Sequence, residues 1–326
     1  MLRASTDSTA TTAPRSTIPR PQPMPGRRRS SGSTAMSPTE TEQIRSFWTD
    51  LGLPGLFDVH THFMPKNVMD KVWTYFDSAG PLTGMAWPIT YREDEDTRIE
   101  MMREFGVRGF TSMIYPHKPG MAEWLNSWGT QFAQRVPDCV HTATFYPEEG
   151  ATQYVESAVA SGAKIFKSHI QVGNYPPNDP LLDGVWGIIE DAAIPVVIHC
   201  GSGPASGPHT GPESIATLLQ RFPRLPLIIA HMGMPEYLEF LQMALQYPNV
   251  RLDTTMAFTD FSEASWPFPK SGRSKLIDLQ GRILFGSDFP NIPYPYLDAL
   301  TAVARLDLGD EWVSDVCYRN GASLFL

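Results

Sequence analysis

Seven ionisable side chains recur at matching places along this chain. His60 and His62 form an H-x-H step, and Lys167 and His169 close the run AKIFKSHI. His199 closes PVVIHC, His231 closes PLIIAH, and Asp288 closes RILFGSD. Neutral imidazoles with one carboxylate are the donor set that suits Zn²⁺ and similar divalent ions. Taken singly these residues say little. An isolated histidine is more often a hydrogen-bonded core or loop residue than a ligand, and Asp after an apolar strand is a common helix N-cap. The constellation says more. Four of the eight histidines (His60, His62, His199, His231) and Asp288 all stand at the ends of apolar runs.

Those runs are the elements that must position the chemistry. Eight β-like stretches cover 56–62, 107–115, 139–146, 163–170, 195–200, 226–231, 249–254 and 282–288, with helix-like segments between them. Several are nearly continuous apolar runs, as buried parallel strands are. Eight β/α units over about 270 residues predict an α/β fold of the (β/α)8 TIM-barrel type, in which the C-terminal strand ends share one catalytic face. A doubly wound open sheet is the second choice. It would place a Gly-rich fingerprint after the first strand, where this chain reads VHTHFMP.

Strand parity puts Lys167 and His169 on one face and Lys164 on the other. Lys167 and His169 are therefore expected as substrate-pocket groups, or alternatively as part of a polar network inside the barrel. The loop 200–211 holds four glycines and two prolines. It either lines the pocket, with His209 as a binding residue, or is only a connection. Alternation points Cys200 away from His199. The aromatic-rich region 64–93 is a long insertion after the first strand, read as a lid, an oligomer contact or local core. Tyr294 and Tyr296 are expected to pack over the last helix, with capping of the pocket as the alternative.

The motifs Asp58-Val59-His60-Thr61-His62, PVVIHCG (195–201), IAHMG (229–233) and LFGSDFP (284–290) resemble those of the amidohydrolase superfamily. They are most similar to its amidohydrolase-related branch, the aminocarboxymuconate semialdehyde decarboxylase-like enzymes. The resemblance implies that His60, His62, His199 and Asp288 bind one divalent metal. It also implies that His231 acts beside the metal as a general acid/base, with Asp288 relaying a proton. Zn²⁺ is the first choice, with Mn²⁺, Fe²⁺ or Co²⁺ as alternatives. Binuclear relatives carry a carboxylated lysine or a glutamate on strand 4, so Lys167 leaves the metal count open. The implied reaction is attack of metal-activated water on an amide, lactone or ester of a small molecule. Metal-dependent non-oxidative decarboxylation is the runner-up, and a metal-free barrel serving as a binding protein comes third.

Composition bounds the partners. The chain has 326 residues, 42% hydrophobic, with a formal net charge of −9. Residues 1–35 are rich in Ser, Thr, Pro and Arg and hold six arginines against one acid, which leaves −14 on residues 36–326. That acidic body argues against a nucleic-acid partner, and no apolar stretch is long enough to span a membrane. The segment 1–35 is expected to be disordered, as an over-long start before Met36 or Met24, a transit peptide or a Tat-type signal. Residues 36–326 are expected to form one barrel domain. Three scattered cysteines are no disulfide framework and fit a reducing compartment, so the expected location is the cytoplasm. The expected partner is a small-molecule substrate, and a homodimer is compatible with the sequence.

Overall fold

Runs such as Val196–His199 and Leu227–Ile229 have no polar face to offer water, so they pair side by side and are covered on both faces. The computed structural model describes residues 38–80 and 84–326, and the segment 1–35 lies outside them. In chain order the strands are β1 (Leu56–Asp58), β2 (Val107–Thr111), β3 (Cys139–Val140), β4 (Thr142–Thr144) and β5 (Ile165–His169). They continue with β6 (Val196–His199), β7 (Leu227–Ile229), β8 (Arg251–Asp253) and β9 (Ile283–Leu284). β1–β3 pair in order, β4–β9 pair in order, and every pairing is parallel.

The run expected at 139–146 is divided at His141 into β3 and β4. Side chains take over from the ladder there. Ser112 N–H donates to Thr142 Oγ1 (3.1 Å), and that hydroxyl donates to Val140 O (3.0 Å). The opposite seam is closed by backbone. Val59 N–H donates to Phe285 O (3.0 Å) and Asp288 N–H to His60 O (2.9 Å), joining the first and last strands just past their ends. The eight β/α units therefore stand as a (β/α)8 barrel, with β3 and β4 as the two halves of its third strand.

Alternation along the strands builds two layers inside the ring. Ile165, Val197, Ile228 and Leu284 meet in one fully buried inner cluster. Their neighbours Phe166, Val196, Ile198, Leu227 and Ile229 face the helices instead. Each such aliphatic side chain contributes about 1.5–3 kcal/mol by leaving water. Two residues further on, the same inward face carries Lys167 in β5 and His199 in β6, so the inner layer changes from apolar to ionisable. The apolar end is plugged by the C-terminal segment. Phe325 stacks on Phe57 at 5.7 Å, and Tyr318 and Leu324 pack on the same cluster.

The outer helices start and stop on local signals. Asp94 caps Glu95–Phe105 by accepting from Thr97 N–H (2.9 Å), and Gly106 ends it at φ 87°. No other residue fits at 106, because a Cβ there would lie 2.7 Å from the Trp48 ring nitrogen. Among the described residues no helix is long and apolar enough to cross a membrane.

The ladders are shorter than the apolar runs suggest. His60 and His62 lie beyond β1, His231 is two residues past β7, and Asp288 is four past β9. Both late residues turn through left-handed backbone, His231 at φ 54° and Asp288 at φ 73°. Such conformations are costly for non-glycine residues and concentrate at functional sites.

Candidate metal centre

The strand ends deliver their side chains to one buried volume. One donor atom each from His60, His231 and Asp288 lie within 4.8 Å of one another, and all three residues are buried. Each imidazole is aimed by a partner on its far nitrogen. His60 Nδ1 donates to Asp253 Oδ2 (2.9 Å), His62 Nδ1 to Met113 O (3.1 Å), and His231 Nδ1 to Thr255 O (3.1 Å). On His60 and His231 those acceptors fix the proton on Nδ1 and leave the Nε2 lone pair facing the cavity. His62 Nε2 lies 2.9 Å from Asp288 Oδ1, and His60 Nε2 lies 3.6 Å from the same oxygen.

His199 is placed differently. Its Nε2 lies 3.1 Å from Gly203 O, and its ring stands between His169 (4.1 Å, stacked) and His231 (4.5 Å). The tight trio thus contains His231 together with His60 and Asp288, while His62 and His199 flank it. The buried Lys167 ammonium reaches His60 Nε2 at 3.1 Å.

Burial controls the electrostatics. It lowers His60 and His231 to about 4 and pushes His169 and His199 well below the ordinary histidine value. These four are neutral imidazoles at neutral pH. Burial alone would raise Asp288, but the His62 hydrogen bond and the surrounding imidazoles hold it well below the usual carboxylate range. Burial likewise works against Asp253, which His60 holds down at about 2. Burial lowers Lys167 to about 8, against the pull of Asp253 and Asp288. Neutral His60 and His231, each with its Nε2 lone pair toward an ionised carboxylate, are in the form that binds a borderline divalent ion. The residues present fit one.

A cavity of about 630 Å³ opens above the centre. It is lined by His60, His62, Lys167, His169, His199, His231 and Asp288 at its base. His209 does not line it; the backbone carbonyl of His209 accepts from Ser214 Oγ at 3.2 Å. The insertion 64–93 contributes Tyr75, Phe76 and Trp87 to the wall, while Trp73 Nε1 bonds Asn291 Oδ1 and Tyr91 is buried core. Tyr294 and Tyr296 are both buried and line no part of the cavity. His117, which carried no motif, stands at the rim.

The sequence reading gave no role to two supporting residues, Asp253 and the motif residue Asp58. Asp253 closes β8 and grips both His60 and the backbone N–H of His231 (2.9 Å). Its signal was available, because it occupies the same strand-end position as the histidines. Asp58 accepts from His60 N–H (3.1 Å), Ser287 N–H (3.1 Å) and Tyr296 Oη (2.9 Å), stapling the first strand to the last.

The family model described as amidohydrolase matches residues 57–326. A comparison with curated proteins finds none that matches the chain. Among solved structures, the chain is similar to an uncharacterised TIM-barrel protein from Bordetella bronchiseptica, with 17% identity over 83% of this chain and 98% of that one, TM-score 0.68. It is also similar to 5-carboxyvanillate decarboxylase from Novosphingobium aromaticivorans complexed with manganese, with 12% identity, 83% and 96% coverage, TM-score 0.57. A third is a probable 2-pyrone-4,6-dicarboxylic acid hydrolase from Acinetobacter baumannii, with 15% identity, 83% and 99% coverage, TM-score 0.55. At these identities the likeness is one of fold. The family match spans nearly the whole barrel and all the strand-end groups, and the chain belongs to the amidohydrolase family.

Proposed function

We propose that this chain is a metal-dependent hydrolase acting on an amide, lactone or ester of a small carboxylated or carbonyl-bearing molecule. The carrying observation is the buried group of His60, His231 and Asp288 at the base of an aromatic-walled cavity. His60 and Asp288 would hold one divalent ion, with His62 and His199 as the adjoining donors and His231 beside it. An ion there supplies Lewis acidity, polarising a carbonyl oxygen and acidifying a water. Asp288 is ionised and accepts a proton from that water. His231, neutral with Nδ1–H on Thr255 O, keeps an Nε2 lone pair that takes up a proton and returns it to the leaving group. Lys167 and His169 orient the polar end of the substrate.

Decarboxylation is the second reading, and Lys167 favours it. Its ammonium is a buried proton source beside the centre, in position to protonate the carbon that loses CO₂. The compared structures include a decarboxylase and a probable hydrolase, so their names favour neither chemistry. Elemental analysis of purified protein is expected to find a stoichiometric divalent metal. His60→Ala and Asp288→Asn are expected to lose metal and activity together. CO₂ release against acid release across a panel of planar acids, lactones and amides then assigns the chemistry. A metal-free chain whose turnover survives both substitutions would overturn the enzyme reading. The proposed compartment is the cytoplasm, supported by three unpaired buried cysteines.

A further inference from the structure

The cavity's charge runs against the charge of the chain. The whole sequence carries −9 and holds only seven lysines. Three of those seven, Lys71, Lys118 and Lys167, line this one cavity. Against them stands a single lining carboxylate among the described residues, Asp288, and it is already engaged by His62. Lys167 belongs to the buried base. Lys71 and Lys118 are exposed at the mouth, and neither makes an ion pair among the described residues. They come from separate elements, the helix Lys66–Asp77 and the loop after β2. Yet both act on one imidazole: His117 is less basic through its burial and then through the nearby charges of Lys118 and Lys71. Beside these groups much of the lining is apolar, including Val68, Val72, Phe76, Trp87 and Met121.

An exposed lysine beside a carboxylate would gain a salt bridge, and these two are left without one in an acidic protein. A cleft lined by one sign of charge with low-dielectric walls concentrates ions of the opposite sign. We propose that Lys71 and Lys118, with His117 beside them, form an outer anion subsite, so that the substrate carries a second anionic group separated by an apolar middle from the group that reacts. This deepens the reading of the cavity as a substrate site and rests on it.

Binding tests the subsite without any turnover. Calorimetric affinities of the metal-loaded protein are measured for two matched pairs, benzoate with terephthalate and naphthoate with naphthalenedicarboxylate. Carboxyphenyl phosphate is run beside terephthalate to set an outer phosphate against an outer carboxylate. The wild-type chain is expected to bind at least one dianion more tightly than its monoanion. Each of Lys71→Gln and Lys118→Gln is expected to weaken that dianion by about fivefold, an exposed charge contact being worth up to roughly 1 kcal/mol. The double variant should bring it down to the monoanion's affinity, and added salt should narrow the gap. Thermal melting checks that both variants remain folded. No dianion preference in the wild type, or an equal loss for both members of a pair, overturns the subsite. Absence of bound metal and turnover, with the dianion preference intact, would instead overturn the enzymatic reading and leave the subsite standing.

Discussion

Asp253 Oδ2 lies 2.9 Å from His60 Nδ1, and the other oxygen of the same carboxylate receives the backbone N–H of His231 at 2.9 Å. One buried anion therefore sets the ring of one member of the centre and the backbone of another. Partners of this kind fix the tautomer and raise the basicity of the facing nitrogen, and losing one costs about 10–100-fold in metal affinity. Asp253→Asn is expected to weaken divalent-metal binding by that factor while the protein still folds. A competition titration against a chromophoric chelator reads it, and an unchanged affinity would remove Asp253 from the site.

Acid should destabilise the metal-stripped chain before it touches the surface carboxylates. Burial lowers His60 and His231 from 6.5 to about 4. Between those values the unfolded chain binds protons that the folded chain refuses, so stability is complete above pH 6.5 and is lost as pH falls toward 4. Asp58 has the opposite sign. Burial raises it from 3.8 to about 7, so its contribution is complete below pH 3.8 and is lost as pH rises through 7. His169 and His199 are depressed as well, so four imidazoles outweigh one carboxyl. The expected net loss from pH 6.5 to 4.5 is on the order of 2 kcal/mol or more, and Asp58→Asn should steepen it. Urea midpoints at the two pH values measure this; a flat or rising midpoint contradicts the sign.

Gly286 is expected to tolerate no side chain. A Cβ at this position would collide with Thr255 Oγ1 and lie 2.8 Å from His60 Cβ. Thr255 O is also the acceptor that orients His231, so a single methyl group presses on two members of the centre. Overpacking of this kind costs about 1–3 kcal/mol. Gly286→Ala should lower the melting temperature and weaken metal binding together. A variant that keeps both would show that the neighbouring turns can shift freely.

Lys167 separates the two chemistries. Lys167→Met keeps the volume and removes the buried ammonium 3.1 Å from His60 Nε2. If that ammonium delivers the proton in decarboxylation, CO₂ release should fall about 10²–10⁴-fold, the usual value of a positioned acid. Hydrolysis, which draws its proton from water through His231, should keep its rate to within about tenfold. Steady-state rates of the variant on the best acid and the best lactone decide between them.

The barrel and its strand-end chemistry were legible because both obey a simple period. Ile165, Lys167 and His169 share a face by parity alone, as do Val197 and His199. Residues set by backbone geometry were harder to read. His231 and Asp288 reach the centre through left-handed turns that no apolar pattern encodes, and so the ladders end earlier than the runs. Asp253 shared the strand-end position of the histidines, yet a lone Asp near the end of NVRLDT reads equally as a helix cap until its partner, 193 positions away, is known. Lys71, His117 and Lys118 belong to separate insertions and form a group only once the chain has closed. The break at His141 came from hydroxyl groups replacing one step of backbone pairing, which composition does not reveal.

Phe325 lies flat on Phe57 and shuts the far end of the ring. Whatever enters must leave by the door it came through, past Tyr75 and Trp124. A spent molecule still in the cavity bars the next arrival, so each product should inhibit competitively against substrate. Turnover at saturating substrate would then be timed by how fast the larger fragment backs out, rather than by any step at the base of the cavity.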